Sequence, residues 1–513
     1  MTSRGVVLGL DLGTSGLKAV VVGEGWTVRA ARRRAYPTAR PRSGWAEQDP
    51  AGWWRAVVRA TSSLSPALRG QVTAIGLTGM IPTLVTLDKT FQPIGPAITW
   101  EDGRAQAEGE QLRARLGSQD LYRRTGQWLD GRYLLPQFRW LTSNLPERAR
   151  LTRWVAGAKD LVFYWLTGQL ATDPSTATGF GVYDIGTGAW DSDLCREMGS
   201  GSGPRGRRRW DLPEVVQSSH LAPLIESAAQ ELGLRPGIPV AVGGADSVVG
   251  ALAAGAKQPG AVAHLAGSST VIMGISATPD WDPHHRWIVT PLAGQPGWGL
   301  ETDLLSTGSA LTWLANMMGL KQPGLQQVLR LAWTSPLGAS GVVCLAHFGF
   351  GEQADLWDPD LMGLFANLSL GSERSDLARA LLEGIMVSTR RCVNLVSSDA
   401  GGSPAPIYCG GWGSEDARFR QRLADATQRR VFAPRPSTDQ NTARASRSSG
   451  PANLASAIGA AVIAGMSTGW PVPDKGVGRR WVNRPDPRSS SAWENLARRN
   501  HAWRVAAQTL RAG

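Results

Sequence analysis

The sequence predicts an α/β protein of two large domains, and three observations lead there. The chain has 513 residues, more than one hydrophobic core ordinarily serves. Short β-branched apolar runs alternate with helix-spaced stretches along most of it. A short pattern also recurs: Leu10-Asp11-Leu12-Gly13-Thr14-Ser15 has a cousin in His264-Leu265-Ala266-Gly267-Ser268-Ser269-Thr270, each between apolar runs. A duplicated domain with one small-residue hairpin per copy accounts for the repeat. It divides the chain into residues 1–253 and 254–513.

Taken in order, Val6 to Leu10 reads as a strand, the Gly/Thr/Ser segment as a tight turn, and Ala19 to Val22 as a second strand. Trp53 to Leu68 has helical spacing, and Thr73–Leu77 and Thr83–Leu87 are strands around a turn at Gly79. Leu161–Leu166 closes a helix at Gly168. The strand Ile238–Val242 precedes a helix over Val248–Ala254, and Ile407-Tyr408 precedes a helix running through Leu423. Late helices are expected over Asp376–Leu395 and Asn453–Ala464. Gly199 to Pro204 and Ser437 to Ser449 lack aliphatic anchors and read as surface loops.

The net charge of +12 raises the question of nucleic acid or a membrane surface. The charge is lumped: Arg29, Arg32, Arg33, Arg34, Arg40 and Arg42 lie in one acid-free stretch, and Arg205, Arg207, Arg208 and Arg209 in another. These ten arginines carry most of the excess, and no aromatics are spaced for base stacking. The expectation is no nucleic-acid and no membrane partner. Cysteines at 195, 344, 392 and 409 follow neither a metal nor a disulfide spacing, and no apolar run reaches the length of a spanning helix. A cytoplasmic location is expected. Oligomeric state is open, a homodimer being the commonest closed assembly.

Four segments could carry chemistry. In Asp11 to Lys18, small residues let backbone N–H groups approach an anion, Thr14 and Ser15 add hydroxyls, and Lys18 adds a cation. Asp11 would repel a bare phosphate and makes sense beside Mg²⁺. An ordinary Gly/Ser turn reads the same way in isolation. Gly243-Gly244-Ala245-Asp246-Ser247 places a carboxylate where a strand gives way to a helix, suited to a general base for an attacking alcohol and equally to a helix cap. Cys409-Gly410-Gly411-Trp412 follows a strand and would let a flat base lie on the backbone, or is a simple turn. Trp100-Glu101-Asp102-Gly103-Arg104 offers stacking and charged hydrogen bonds to a polyhydroxylated ligand, or is a surface turn.

Together with Gly44-Trp-Ala-Glu-Gln-Asp-Pro50, Lys159-Asp160, Leu166-Thr-Gly168, Ala171-Thr-Asp-Pro-Ser175, Gly351-Glu352, Gly363 to Leu368, Leu381 to Gly384 and Ala457 to Ala461, these segments resemble the FGGY family of carbohydrate kinases, most closely its xylulokinase-like branch. The resemblance runs from about Val7 to about Gly465. It implies two actin-like (ribonuclease H-like) ATPase domains flanking a central cleft, the first binding sugar and the second ATP. It implies Asp246 as catalytic base, and Asp11 and Asp246 as the carboxylates nearest Mg²⁺. Gly13, Thr14, Ser15 and Lys18 match the first phosphate loop, Gly267, Ser268 and Ser269 the second, and Gly410 and Gly411 the adenosine turn. Met80, Ile81, Trp100, Asp102, Asp246 and Ser247 fall at sugar-contacting positions. ATP and Mg²⁺ are the implied cofactors, and a small sugar or polyol the partner.

Several positions depart from the family pattern. Met80-Ile81-Pro82 stands where xylulokinases carry Gln-Met-His, which puts D-xylulose itself in question. Trp-Asn-Asp becomes Trp100-Glu101-Asp102, and the added charge disfavours an acidic sugar such as gluconate. Ser247 replaces a common Asn, Gln353 a common Arg, and Asn367 a common Gly, while residues 435–449 interrupt the segment after the adenosine turn. The expected activity is transfer of the ATP γ-phosphate to a ketopentose hydroxyl, with xylulose first. Ribulose, a pentitol or tetritol, gluconate and glycerol are the alternatives. A kinase fold retained as an inactive sugar- or nucleotide-binding regulator is the reading from another class.

Overall fold

The computed structural model describes residues 5–198, 210–321, 324–349, 358, 361–397, 404–434, 454–472 and 480–512. The expected loops at 199–204 and 437–449, and Gly351-Glu352-Gln353, lie outside them. Two units are present. One comprises Met1–Ala253, Ala277–Gly299 and Pro436–Gly478; the other comprises Ala254–Ser276, Leu300–Arg435 and Arg479–Gly513. The sequence places a boundary at 253/254, but chain order understates the exchange. Residues 277–299 and 436–478 belong with the first unit.

In the first unit, β1 (Val6–Gly13), β2 (Gly16–Gly23), β3 (Thr27–Ala35), β4 (Val72–Gly79), β5 (Leu221–Pro223) and β6 (Pro239–Ala245) form one sheet in the order β5-β6-β4-β1-β2-β3. β1, β2 and β3 are antiparallel neighbours, whereas β6, β4 and β1 run parallel. Every residue of β1 is buried, which explains why its apolar residues from Val6 to Leu10 do not alternate with polar ones: a central strand covered on both faces has no polar side. Leu8, Leu10, Leu12, Leu77, Val240 and Val242 join Trp53 and Phe163 from flanking helices in one core.

The helix Ala455–Ser467 also packs on this sheet. Its approach is so close that a Cβ on Gly9 would fall 1.9 Å from the Ala457 carbonyl oxygen, and one on Gly76 would fall 1.9 Å from that of Ala460. Two local expectations change. The helical run from Trp53 to Leu68 is two helices, Pro50–Ser62 and Pro66–Arg69, because Ser65 caps Pro66 as a new start. The strands on either side of Gly79 do not form a hairpin. Thr83–Leu87 leaves for a separate four-stranded sheet.

The second unit repeats the hairpin-plus-parallel-strand arrangement. β7 (Val262–Ala266) pairs antiparallel with β8 (Thr270–Ser276) and parallel with β9 (Ile407–Gly411). β10 (Val431–Pro434) runs parallel to β9 and antiparallel to β11 (Arg480–Asn483). The long helix Arg374–Val396 is buried along most of its length in this unit. Among the described residues no helix is long and apolar enough to cross a membrane.

Candidate active site

Three parallel strands of the first unit end together. Leu12 of β1 pairs with Gly79 of β4, and Gly79 pairs with Ala245 of β6. This alignment brings the Thr14-Ser15 turn, Met80-Ile81 and Asp246 to one end of the sheet, where α/β sheets place their ligands. Met80 keeps the register, donating its N–H to the Leu12 carbonyl at 2.9 Å. It is buried, and the Ile81–Pro82 peptide that follows is cis.

Within the first hairpin, Asp11 and Lys18 are cross-strand partners. Lys18 Nζ lies 3.0 Å from Asp11 Oδ2. Asp11 Oδ1 is buried and has no hydrogen-bond partner. A buried carboxylate oxygen left over from an ion pair is costly unless a cation or donor meets it, so this site fits a hard divalent cation. Mg²⁺ ordinarily takes only one or two protein carboxylates and otherwise keeps water and phosphate oxygens. No cluster of three or more acidic, His or Cys ligands occurs among the described residues.

The two turn hydroxyls are held by donors far away in sequence. Trp100 Nε1 donates to Thr14 Oγ1 at 2.9 Å, and Arg33 Nη2 to Ser15 Oγ at 2.9 Å. A hydroxyl that accepts from an N–H keeps its own proton to donate to an anion. Gln48 braces the turn from behind: its Nε2 reaches the Thr14 carbonyl at 2.8 Å while its Oε1 accepts from buried Trp53 Nε1 at 2.8 Å. Tyr36 donates to the Gly13 carbonyl at 2.6 Å. Burial and the nearby Asp11 charge push the Tyr36 pKa far up, so it is a donor at every working pH. Sequence reasoning missed Arg33, Tyr36 and the brace by Gln48. The arginine-rich run and the Gly44–Pro50 segment were the only signals.

Segment 100–104 corrects the expectation for Asp102. Its side chain is fully buried, and both oxygens are occupied. Oδ1 accepts from Arg104 N (2.9 Å) and Nε (2.8 Å), and Oδ2 from Ala46 N (2.5 Å) and Arg104 Nη2 (2.7 Å). Arg104 also pairs with Glu47 at 2.8 Å and stacks 3.6 Å from the Trp45 ring centre. Asp102 therefore ties down the 44–47 segment instead of offering a free acceptor to sugar. The charge expected from Glu101 is likewise countered, by Arg40 at 3.1 Å.

Asp246 begins the helix Asp246–Ala254 directly after β6, and Ser247 follows it. On the far side of β6, β5 stops pairing at Ala241. Beyond that point the edge is closed by loop groups: Val242 N donates to the His220 carbonyl (3.1 Å), Gly243 N to that of Ser218 (3.0 Å), and Ala245 N to Ser175 Oγ (2.9 Å). Ser456 Oγ caps the Asp246 carbonyl at 3.1 Å.

In the second unit, Ala266 of β7 pairs with Gly411 of β9, which puts the Gly267-Ser268-Ser269 turn and Gly410-Gly411 at one sheet end. Gly411 has φ +81°, and a Cβ there would lie 1.8 Å from the Ala266 carbonyl oxygen, so only glycine fits. The Ser268 carbonyl accepts from Thr307 N (3.0 Å) and Ser309 N (3.1 Å) at the start of the helix Gly308–Met317. Trp412 Nε1 donates to the Gly267 carbonyl at 2.9 Å. Gly267 and Ser268 remain exposed, their backbone shaped but not covered. Thr307 to Ser309 carried no signal in the sequence.

Similarity to known proteins follows the same lines. Residues 6–253 match the N-terminal domain of the FGGY family of carbohydrate kinases, and residues 262–443 match its C-terminal domain. The chain is 27% identical to the xylulose kinase of Staphylococcus xylosus over 480 residues, covering 90% of this chain and 91% of that one. It is 24% identical to the gluconokinase of Bacillus subtilis over 442 residues, covering 83% and 84%. The crystal structure of xylulose kinase from Rhodospirillum rubrum superposes with a TM-score of 0.82 at 28% identity, covering 98% of this chain and 99% of that chain. With both domain patterns matched across most of its length, the chain belongs to the FGGY family of carbohydrate kinases.

Proposed function

We propose that this protein transfers the γ-phosphate of ATP to a hydroxyl of a ketopentose, with D-xylulose as the first candidate and Asp246 as general base. The observation that carries the assignment is the shared end of β1, β4 and β6, which gathers an anion-binding hairpin and a carboxylate in one unit. Asp246 orients the acceptor hydroxyl and takes its proton as the P–O bond forms. Gly13, Thr14, Ser15 and Lys18 bind phosphate oxygens, the two hydroxyls pre-oriented by Trp100 and Arg33. Gly267, Ser268 and Ser269 hold phosphate on the second unit, and Gly410 and Gly411 seat adenosine. Mg²⁺ would be held through Asp11, with Asp246 as the second carboxylate, and when bound it would neutralise charge on the transferring phosphoryl group. Met80, Ile81, Trp100 and Ser247 line the sugar side.

A specific observation supports gluconate as a second reading. The acidic residues that would repel an aldonate are already countered, Glu101 by Arg40 and Asp102 by Arg104. The test measures ADP release with Mg-ATP across ketoses, polyols and aldonates, for wild type and Asp246→Ala. Turnover of D-xylulose or another ketopentose above all others is expected. A faster rate on gluconate makes the second reading correct, and equal turnover by both proteins removes Asp246 from the mechanism.

A further inference from the structure

The first unit buries an ammonium group next to the strand that carries Asp246. Lys159, in the helix Ala158–Thr167, has a side chain with no solvent exposure. Its Nζ lies 3.1 Å from Asp160 Oδ1 and 3.3 Å from Asp173 Oδ1. Asp160 is fully buried as well and spends its other oxygen on Gly157 N at 2.9 Å, which fixes the start of that helix. Asp173 directs its second oxygen to Ser175, accepting from Ser175 N at 2.9 Å and from the Ser175 hydroxyl through a short contact. The Ser175 hydroxyl has then donated its one proton, and it accepts from Ala245 N at 2.9 Å.

A buried ion cluster of this kind is a poor source of stability, because the desolvation of three charges offsets most of their attraction. Its value lies in geometry: Lys159 donates to Asp160 and faces Asp173 Oδ1 as an ion pair, and the other Asp173 oxygen is held by Ser175. The chain of contacts ends at the peptide N–H directly before Asp246, where β6 has lost β5 as a neighbour. From the other side, Thr78 Oγ1 donates to the Gly244 carbonyl at 2.8 Å. The strand end is thus gripped on both edges within two residues of Asp246.

We propose that Lys159, Asp173 and Ser175 form a positioning relay that sets the backbone from which Asp246 projects. Lys159 orients Asp173, Asp173 orients the Ser175 hydroxyl, and Ser175 holds Ala245 N–H. All three are buried and act through the backbone of Ala245. The relay rests on the reading of Asp246 as the base. Without the Ser175 hydroxyl, the β6 edge loses its last anchor and the carboxylate samples orientations from which it cannot accept the proton, so the chemical step slows while binding is retained.

The experiment measures sugar-phosphate formation in a single turnover, enzyme in excess, with Mg-ATP and the fastest acceptor of the panel above. It compares wild type, Ser175→Ala, Ser175→Thr and Asp246→Ala, with melting temperatures and calorimetric affinities for acceptor and Mg-ATP alongside. Ser175→Ala is expected to slow transfer about tenfold with both affinities within about twofold. Ser175→Thr, which keeps the hydroxyl, recovers most of the rate. Wild-type transfer by folded Ser175→Ala, or equal slowing by both Ser175 variants, overturns the relay while an inert Asp246→Ala leaves the base in place. Full activity of Asp246→Ala, or no turnover of any acceptor, removes the base and the relay together. Should Ser175→Ala not fold, Ser175→Cys, of similar size and a weaker acceptor, is judged by the same criteria.

Discussion

Two carboxylates of the first unit divide the labour in the proposed phosphotransfer. Asp11 sits in a buried strand, one oxygen paired with Lys18 and the other without a hydrogen-bond partner. We expect Asp11→Asn to raise the Mg²⁺ concentration needed for half-maximal turnover at least roughly tenfold, since losing a charge-assisted contact of about 1.4 kcal/mol has that effect. A magnesium titration of initial rates checks this, and an unchanged titration curve would separate Asp11 from the metal. Asp246→Ala should cost at least roughly a hundredfold in turnover, the scale of general-base catalysis, read from ADP release at saturating substrates. Asp102 presents the opposite case. Four contacts from its own chain consume it, so Asp102→Asn is expected to lower the melting temperature more than it lowers sugar affinity.

Elements decide how these residues are held. The helix Ala455–Ser467 can lie on β1 and β4 only because Gly9 and Gly76 present no side chain. Gly76→Ala would drive a Cβ against the Ala460 carbonyl, and a backbone atom cannot step aside as a flexible side chain can. The expected cost is about 1–3 kcal/mol, typical of overpacking, measured as a lowered urea midpoint. On β7 of the second unit, His264 is buried against Cys409, its Nδ1 3.7 Å from the sulfur. Burial pushes its pKa down to about 4, so the folded chain holds it neutral while the unfolded chain protonates it at its ordinary value. Unfolding therefore takes up a proton between about pH 6.5 and 4. Stability contributed by neutral His264 is present above that window and falls as pH drops through it. Melting temperatures across pH 4–7 should show this decline, and His264→Gln should flatten it.

At the scale of the whole molecule, chain order and packing order differ. The C-terminal domain match ends at residue 443, yet the helix Ala455–Ser467 beyond it covers the sheet of the first unit. A chain ended at residue 450 should lose the packing over β1 and β4, and with it the alignment of the first hairpin and Asp246. Limited proteolysis and turnover of the truncated chain test this, and a folded, active product would show that the helix is dispensable.

Much of this protein is legible in the order of its residues. The hairpin at Asp11–Lys18, its cousin at Gly267–Ser269 and the strand ending in Asp246 are local patterns: a run of apolar β-branched residues, a small-residue turn and a carboxylate at the strand end. Such patterns depend on near neighbours in sequence. What the tertiary structure alone decided are the contacts between distant residues. Trp100 on Thr14 and Ser175 on Ala245 span 86 and 70 positions, and Asp102 turns inward because Arg104 and Ala46 meet both its oxygens. The return of residues 455–467 to the first sheet belongs with them. A side chain's type says which bonds it can make, but the partner is chosen by whichever strands the fold sets side by side.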